Sequence, residues 1–312
     1  MITLPPPVIC LMGPTAAGKT ALALALRACL PVDIISVDSS QVYRGMDIGT
    51  AKPSAAEQAC APHRLIDIRD PSVPYSVAEF CHDALREIRA IHAAGRIPLL
   101  VGGTMFYFRA LERGLSDLPS ADPVIRHRLT HEAHQTGWPA LHKRLAERDP
   151  VSAARIQPND AQRIQRALEI IENTGHPASS VVIHPTQNSS LRFIKLAICP
   201  LERRLLHGQI ATRFHNMLVQ GLLAEVEGLH RRPDLPPELP SMRTVGYRQV
   251  LAYFSGALSY PDMIEKGIIA TRQLAKRQLT WLRADRELHW LDAHDPALVQ
   301  SALEYLTTRV HW

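Results

Sequence analysis

The sequence predicts an α/β protein in which helices flank a parallel β-sheet and an all-helical subdomain is inserted into the chain. A glycine-rich loop at residues 13–20 stands between an apolar run, residues 8–12, and an alanine- and leucine-rich helical stretch. Further short apolar runs at residues 33–37 and 97–101 end in polar loops, a pattern typical of buried parallel strands. Residues 117–180 contain helical patterns and no predicted strand.

The glycine-rich loop matches the phosphate-loop pattern G-x-x-x-x-G-K-[ST] at each fixed position. Its residues are Gly13, Pro14, Thr15, Ala16, Ala17, Gly18, Lys19 and Thr20. Because strand, loop and helix follow in the order that this motif needs, the predicted sheet is P-loop NTPase-like. Backbone N–H groups at the helix start would face an anion, Lys19 adds positive charge, and the Thr20 hydroxyl can ligate Mg2+. We therefore expect a phosphate or pyrophosphate ligand, with Mg2+ as the cofactor.

Polar residues also follow the next two predicted strands. Residues 38–41 (DSSQ) come after the run 33–37, and residues 102–104 (GGT) come after the run 97–101. Ligands bind at strand ends in open α/β sheets. Asp38 is the first candidate for chemistry, since a carboxylate here can accept a proton from an attacking group. From position alone, an aspartate that forms a turn or caps a helix is an equally good explanation.

The insertion is predicted to contain three helices, at residues 122–137, 139–148 and 159–175. The third is expected to begin at Asn159, with Gln162 three residues later as its capping-box partner. Residues 117–180 then form the helical subdomain, and residues 1–116 and 181–312 form the core domain with the C-terminal helices.

The sheet is expected to resume at residues 191–198, and a long helix is predicted at residues 261–285. On a helical wheel, Arg272, Lys276 and Arg283 of that helix fall within roughly 40° of one another. They would form a basic ridge, for which a solvated helix face is the commoner explanation and a polyanionic partner the alternative.

Composition narrows the class of protein. The 312 residues are 46% apolar and 21% charged, which is typical of a globular protein, and the formal net charge is +5. The five cysteines stand singly, without the spacing of a zinc site. The sequence has no apolar run long enough to cross a membrane, and its start lacks the pattern of a secretory signal. We expect a monomeric protein in the cytoplasm, without a membrane partner.

Two kinds of function remain open from the residues alone. A P-loop usually indicates nucleoside triphosphate hydrolysis or phosphoryl transfer. Hydrolysis by a motor or switch is disfavoured, because the run 97–101 continues into glycines and not into a second acidic metal ligand. The two are a small-molecule P-loop kinase and an RNA-binding protein whose P-loop senses nucleotide.

Four segments together resemble the bacterial tRNA dimethylallyltransferase family, also called tRNA isopentenyltransferases or IPP transferases. They are residues 13–20, residues 38–53 (DSSQVYRGMDIGTAKP), residues 102–104 and residues 276–283 (KRQLTWLR). Residues 243–248 (RTVGYR) and 159–166 (NDAQRIQR) match further family segments, so the resemblance spans nearly the whole chain. The sequence departs from the family at Ala17, where many members have serine, and at Ser40, where many have methionine.

The resemblance implies transfer of a dimethylallyl group from dimethylallyl diphosphate to N6 of adenosine-37 in the anticodon stem-loop of tRNA. The P-loop residues and Arg213 would bind the diphosphate, and Lys19 would stabilise its growing charge. Asp38 would be the general base, and Thr104 would lie in the reaction channel. The helical insertion would contact the tRNA. The implied tRNA-binding residues are Asp38, Ser39, Ser40, Gln41, Gln162, Arg163, Ile164, Gln165, Arg166, Arg243, Thr244, Val245, Gly246, Tyr247, Arg248, Lys276, Arg277, Gln278, Leu279, Thr280, Trp281, Leu282 and Arg283.

Overall fold

The structure, a computed structural model, describes residues 5–115, 118, 121–180 and 190–310. By its internal contacts the chain divides into two compact units. The first unit comprises Met1–Glu112 and Asn188–Trp312, and the second comprises Arg113–Gln187. The boundaries predicted from sequence, at residues 117 and 181, lie outside the described residues.

The first unit contains a sheet in which six strands of the described chain pair in parallel. Their order across the sheet is β3-β2-β4-β1-β5-β6. This confirms the predicted parallel α/β fold. The strands are β1 (Pro7–Met12), β2 (Val32–Val37), β3 (His63–Arg64), β4 (Ile97–Gly102), β5 (Arg192–Cys199) and β6 (His289–Asp292).

Helices follow the strands, form much of the C-terminal part of the first unit, and are the secondary structure of the described residues of the second. In chain order they are α1 (Lys19–Cys29), α2 (Ala55–Cys60), α3 (Val77–Ala93), α4 (Met105–Arg113), α5 (Pro123–Thr136), α6 (Trp138–Arg148), α7 (Pro150–Arg155), α8 (Ala161–Thr174), α9 (Arg203–Val219), α10 (Leu222–His230), α11 (Tyr247–Phe254), α12 (Tyr260–Arg283) and α13 (Leu298–Thr307). No helix in the described part of the chain is long and apolar enough to cross a membrane.

The central strand β1 shows why the strands are continuous apolar runs. Val8, Cys10 and Met12 belong to the core on one face of the sheet, while Ile9 and Leu11 belong to the core on the other. Successive side chains of a strand point to opposite faces, so a sheet covered by helices on both sides favours predominantly apolar strands. Helices α1 and α13 cover one face, and α3 and α4, together with C-terminal helices, cover the other.

The strand register brings three loops to one edge of the sheet. Met12 at the end of β1 is level with Gly102 at the end of β4, and Gly102 is level with Val37 at the end of β2. The chain that follows each of these residues therefore leaves the sheet at the same carboxyl edge, with the β4 loop between the other two. This arrangement places the P-loop, residues 102–104 and Asp38 side by side.

The second unit is a helical subdomain with its own core. Leu129, Leu141, Leu145, Ile164 and Leu168 are buried there, on α5, α6 and α8. The predicted start of α8 was wrong by one residue. Its N-cap is Asp160, whose carboxylate accepts a hydrogen bond from the Arg163 N–H at 3.2 Å. Gln162 is exposed and makes no capping-box bond.

Candidate active site

The P-loop presents backbone donors that have no acceptor. Ala16 and Gly18 have positive φ angles of 65° and 87°, which turn successive peptide N–H groups toward the same side of the loop. Within the described chain, the N–H groups of Ala16, Gly18, Lys19 and Thr20 form no hydrogen bond. Helix α1 begins here without a side-chain cap. Such converging donors at a helix N-terminus favour a bound anion.

Lys19 lies over the same loop. Its Nζ donates hydrogen bonds to the carbonyl oxygens of Gly13 and Pro14, at 3.1 and 2.8 Å. Burial, and to a smaller extent the nearby positive charge of Arg213, lower the pKa of Lys19 to about 8, against the opposing charge of Asp38. An anion in the loop would offset both causes and favour the charged form.

Arg213, on α9, belongs to the same group of charges. Burial lowers its pKa, and the negative charge of Asp38 acts in the opposite direction. The structure thus brings Lys19, Arg213 and Asp38, which lie on three separate segments of the sequence, into one electrostatic cluster beside the P-loop.

Asp38 uses one carboxylate oxygen to shape its own turn. Its Oδ1 accepts hydrogen bonds from the N–H groups of Ser40, at 2.8 Å, and Gln41, at 3.3 Å. Its Oδ2 has no hydrogen-bond partner in the described chain, and the residue is half-buried. The turn that the sequence left open is therefore present at Oδ1, and the role of Asp38 as a proton acceptor stays a prediction.

Thr104 connects two of the loops at the sheet edge. Its hydroxyl oxygen accepts a hydrogen bond from the Ser39 N–H at 3.1 Å. The loop after β4 is therefore fixed against the turn that contains Asp38.

Gln41 supports the loop at residues 42–53 from the inside. Its Nε2 donates to the carbonyl oxygens of Thr50 and Ala51, at 3.3 and 3.1 Å, and its Oε1 accepts from the Ser36 hydroxyl at 3.1 Å. Both polar atoms of this amide are engaged within the protein, and the tRNA contact expected for Gln41 stays a prediction.

Glu225, on α10, was not found by the sequence analysis and is the main anchor of the same loop. Its carboxylate accepts hydrogen bonds from the N–H groups of Asp47, Ile48 and Gly49, at 2.9, 2.7 and 3.0 Å. It also accepts the Tyr247 hydroxyl at 2.5 Å. No spacing rule links a glutamate on one helix to a loop almost 180 residues earlier, so the sequence held no local signal for this contact.

Four of the expected tRNA-binding side chains are buried, which corrects their assignment. Tyr247 is fully buried against Gly49 and Glu225, and burial raises its pKa. Ile164 belongs to the core of the second unit, and Leu282 to that of the first. Gln278 is 9% exposed, and its amide is hydrogen-bonded within the protein. A side chain in these positions cannot reach an RNA surface without unpacking the core.

Other members of that set remain accessible. The exposed residues are Ser39, Gln162, Arg163, Arg243, Arg248, Lys276, Arg277, Thr280, Trp281 and Arg283, and the half-buried ones are Ser40, Gln165, Arg166, Thr244, Val245 and Leu279. Gly246 is buried and precedes α11.

The exposed side of α12 near its C-terminus combines positive charge with an aromatic surface. Trp281 is 41% exposed, and Phe106 on α4, which is 50% exposed, meets it edge to face at 6.4 Å between ring centroids. The guanidinium of Arg109 lies 5.4 Å from the centroid of the Trp281 ring. Lys276 and Arg283 are exposed as predicted, while Arg272 is half-buried. Aromatic faces with cationic neighbours are suited to stacking on nucleobases and pairing with phosphates.

A P-loop at the end of a central parallel strand, next to a strand end that carries an available carboxylate, is typical of P-loop α/β enzymes. A family model described as IPP transferase matches residues 41–285 of the chain. The chain belongs to the IPP transferase family, and it is an enzyme of the prenyltransferase class. Nothing in the site or in the comparisons favours the small-molecule kinase.

Solved structures agree with this family. The chain is 36% identical to the full-length tRNA isopentenylpyrophosphate transferase of Bacillus halodurans. The match covers 97% of this chain and 96% of that one, with a TM-score of 0.71. It is 32% identical to the tRNA delta(2)-isopentenylpyrophosphate transferase of Staphylococcus epidermidis, covering 98% and 100%, with a TM-score of 0.70. It is 27% identical to a eukaryotic dimethylallyltransferase acting on tRNA, covering 98% and 80%, with a TM-score of 0.80.

Proposed function

We propose that this enzyme transfers the dimethylallyl group of dimethylallyl diphosphate to N6 of adenosine-37 in the anticodon stem-loop of tRNA and releases pyrophosphate. Membership of the IPP transferase family supports prenyl transfer to tRNA. The observation that carries the site assignment is the cluster of unpaired P-loop amides with Lys19, Arg213 and Asp38. In this reaction the P-loop holds a leaving group and not a phosphate that is transferred.

The diphosphate is proposed to bind to the free amides of the P-loop. Pyrophosphate leaves readily only if the charge that grows on it is neutralised. Lys19 and Arg213 lie beside these amides and supply two positive charges in a partly desolvated site, where electrostatic interactions are stronger than in water. Ala17, which replaces the serine of many relatives, is buried, and the loop is proposed to bind through its backbone.

The residues at the loop fit a Mg2+ ion that is shared with the substrate. The Thr20 hydroxyl has no hydrogen-bond partner in the described chain and lies at the start of α1. The described residues contain no group of three His, Cys, Asp or Glu side chains that could hold a metal ion. Mg2+ usually takes one or two protein ligands together with substrate phosphates and water, so Thr20 would hold it with the diphosphate. When bound, Mg2+ supplies further positive charge to the departing pyrophosphate.

Asp38 is proposed as the general base. The lone pair of the adenine N6 is delocalised into the ring, so removal of its proton during bond formation assists attack on the allylic carbon. The Oδ2 atom is available for this proton, while the hydrogen bonds to Oδ1 fix the side chain. Thr104 holds the adjacent Ser39 and is proposed to line the channel between the two substrates.

The RNA is proposed to bind through exposed residues of both units. A stacked base must leave its stack to be modified, which costs a few kcal/mol. Phosphate contacts from Arg243, Arg248, Lys276 and Arg283, all exposed, would offset that cost. In the second unit, the exposed Gln162 and Arg163 of the predicted set are proposed as further contacts. We also propose that the protein acts as a monomer in the cytoplasm.

The direct test is to incubate the protein with tRNA, Mg2+ and dimethylallyl diphosphate that is radiolabelled in the prenyl group. We expect label in adenosine-37, detected after nuclease digestion and separation of the nucleosides. Absence of label from RNA together with consumption of ATP would support a kinase instead. RNA binding without turnover of either compound would support an RNA-binding module.

A further inference from the structure

Gln278 connects two loops of the candidate active site. It lies on α12 and is 9% exposed. Its Oε1 accepts a hydrogen bond from the N–H of Thr15 in the P-loop at 2.9 Å. Its Nε2 donates to the carbonyl oxygen of Gly103, the residue before Thr104, at 2.8 Å. One side-chain amide therefore joins the proposed diphosphate loop to the proposed channel loop.

Both bonds depend on the orientation of this amide. If the group were reversed, its NH2 would face the Thr15 N–H and its oxygen would face the Gly103 carbonyl, and both bonds would be lost. The contact is also tight, because a Cβ atom at Gly103 would lie 2.4 Å from Nε2. A glycine at this position is what permits the Gln278 amide to reach the backbone.

The hydrogen bond to Gln278 distinguishes the Thr15 N–H from the other N–H groups of the P-loop. The Thr15 N–H is committed to Gln278, whereas the N–H groups of Ala16, Gly18, Lys19 and Thr20 have no acceptor in the described chain. The bond to Gly103 fixes the loop that ends in Thr104, and Thr104 in turn holds the turn of Asp38 through Ser39. Gln278 is thus bonded to the P-loop directly and to the Asp38 turn through one intervening loop.

We propose that Gln278 is a positioning residue that sets the P-loop in its anion-binding shape and holds it in register with the loop of Thr104. This inference rests on the proposed function, because it assumes that the P-loop binds the diphosphate. It replaces the tRNA contact expected for Gln278 from the sequence. Prenyl transfer requires the leaving group and the acceptor to be aligned, so a looser connection affects diphosphate binding and turnover but leaves RNA affinity intact.

The test measures binding of inorganic pyrophosphate and of an anticodon stem-loop RNA separately, by calorimetry with Mg2+ present. Gln278→Met removes both hydrogen bonds at nearly constant volume, and we expect pyrophosphate affinity to fall about tenfold. RNA affinity should stay within about twofold. Gln273→Met, an exposed glutamine on the same helix, is the matched control and should leave both affinities unchanged.

Gln278→Glu provides a second test that does not depend on the stability of the methionine variant. A protonated glutamic acid can accept from Thr15 and donate to Gly103 as the amide does, whereas the carboxylate would repel the Gly103 oxygen. Burial raises the pKa of such a carboxyl. The kcat of this variant relative to wild type should therefore rise as the pH is lowered from 8 to 6, because protonation restores the donor.

Five outcomes decide whether the proposal holds. Loss of pyrophosphate affinity in Gln278→Met with RNA affinity kept supports the proposal. Where the methionine variant does not fold, the pH-dependent recovery of Gln278→Glu supports it. Unchanged pyrophosphate affinity in Gln278→Met overturns it. A loss confined to RNA affinity overturns it in favour of a direct RNA contact. Failure of the wild-type protein to bind pyrophosphate overturns the proposed use of the P-loop and this inference with it.

Discussion

Two loops of the first unit present converging backbone N–H groups. They differ in whether the described chain supplies an acceptor for these hydrogen bonds. In the P-loop, the amides of Ala16, Gly18, Lys19 and Thr20 have no acceptor within the described chain. In the loop at residues 47–49, three consecutive amides all donate to Glu225. Converging amides favour an anion in either case.

The difference separates a structural loop from a binding loop. Glu225 is an anion that the protein supplies, so folding alone completes the loop at residues 47–49. The anion proposed for the P-loop is the diphosphate of the substrate. Asp38 shows the same contrast within one side chain, since Oδ1 is engaged in a turn and Oδ2 is not. Polar atoms that lack a partner among the described residues mark where a substrate is expected.

The largest effect is expected from removing the proposed proton acceptor while keeping the turn. Asp38→Asn retains an oxygen that can accept from Ser40 and Gln41, so the fold should be preserved. We expect kcat to fall by about 10³-fold, the usual contribution of a general base. Single-turnover transfer of labelled prenyl groups to tRNA measures this loss, with thermal unfolding as the control. Activity close to wild type would remove Asp38 as the base.

The structural loop is tested by removing its internal anion. Glu225→Ala leaves three amides and the Tyr247 hydroxyl without their acceptor, and we expect a loss of about 2–4 kcal/mol in the free energy of unfolding. Denaturant titration gives the value. Glu227→Ala is the matched control on the same helix, because its exposed pair with Arg231 should contribute less than about 0.5 kcal/mol. Equal losses in the two variants would contradict the anchoring role of Glu225.

The P-loop is tested by the pH dependence of its affinity for pyrophosphate. The pKa of Lys19 is lowered to about 8, and a bound anion favours its charged form. Affinity for pyrophosphate should therefore be complete below pH 8 and fall by up to about tenfold per unit as the pH rises above it. Lys19→Arg keeps its charge in this range, so the ratio of the two affinities should change between pH 7 and 9. A constant ratio would mean that Lys19 does not titrate there.

The smallest effect is expected on the exposed face of α12. Lys276→Ala should weaken RNA binding a few-fold and reduce the slope of log affinity against log salt by about one. Fluorescence anisotropy with a labelled anticodon stem-loop at several salt concentrations measures the slope. Pyrophosphate affinity serves as the internal control and should not change. A slope equal to that of wild type would place Lys276 away from the RNA.

Much of the fold follows from local pattern. The apolar runs at residues 8–12, 33–37 and 97–101 predicted β1, β2 and β4, because strands buried on both faces are predominantly apolar. The P-loop could be recognised because its phosphate chemistry depends on glycine, lysine and a hydroxyl at fixed spacing. Parallel pairing then places Asp38 and Thr104 at the same edge.

The inward orientation of polar side chains was harder to predict. Gln278 was grouped with its exposed neighbours Lys276 and Arg277 because they share one motif. Its spacing of three residues from Ala275 and four from Leu282, both buried, is the helical signal that could have identified it. Asp160 and Asn159 are both good N-caps, so their order along the chain could not decide the start of α8.

The bond between Thr15 and Gln278 joins residues 263 positions apart. At a synthesis rate of about 5–20 residues per second, α12 follows the P-loop by roughly 13–50 seconds. During that interval the nascent chain contains the whole P-loop motif but lacks the amide that fixes Thr15 and Gly103. The P-loop is thus among the first segments to be synthesised and among the last to acquire its complete hydrogen bonding.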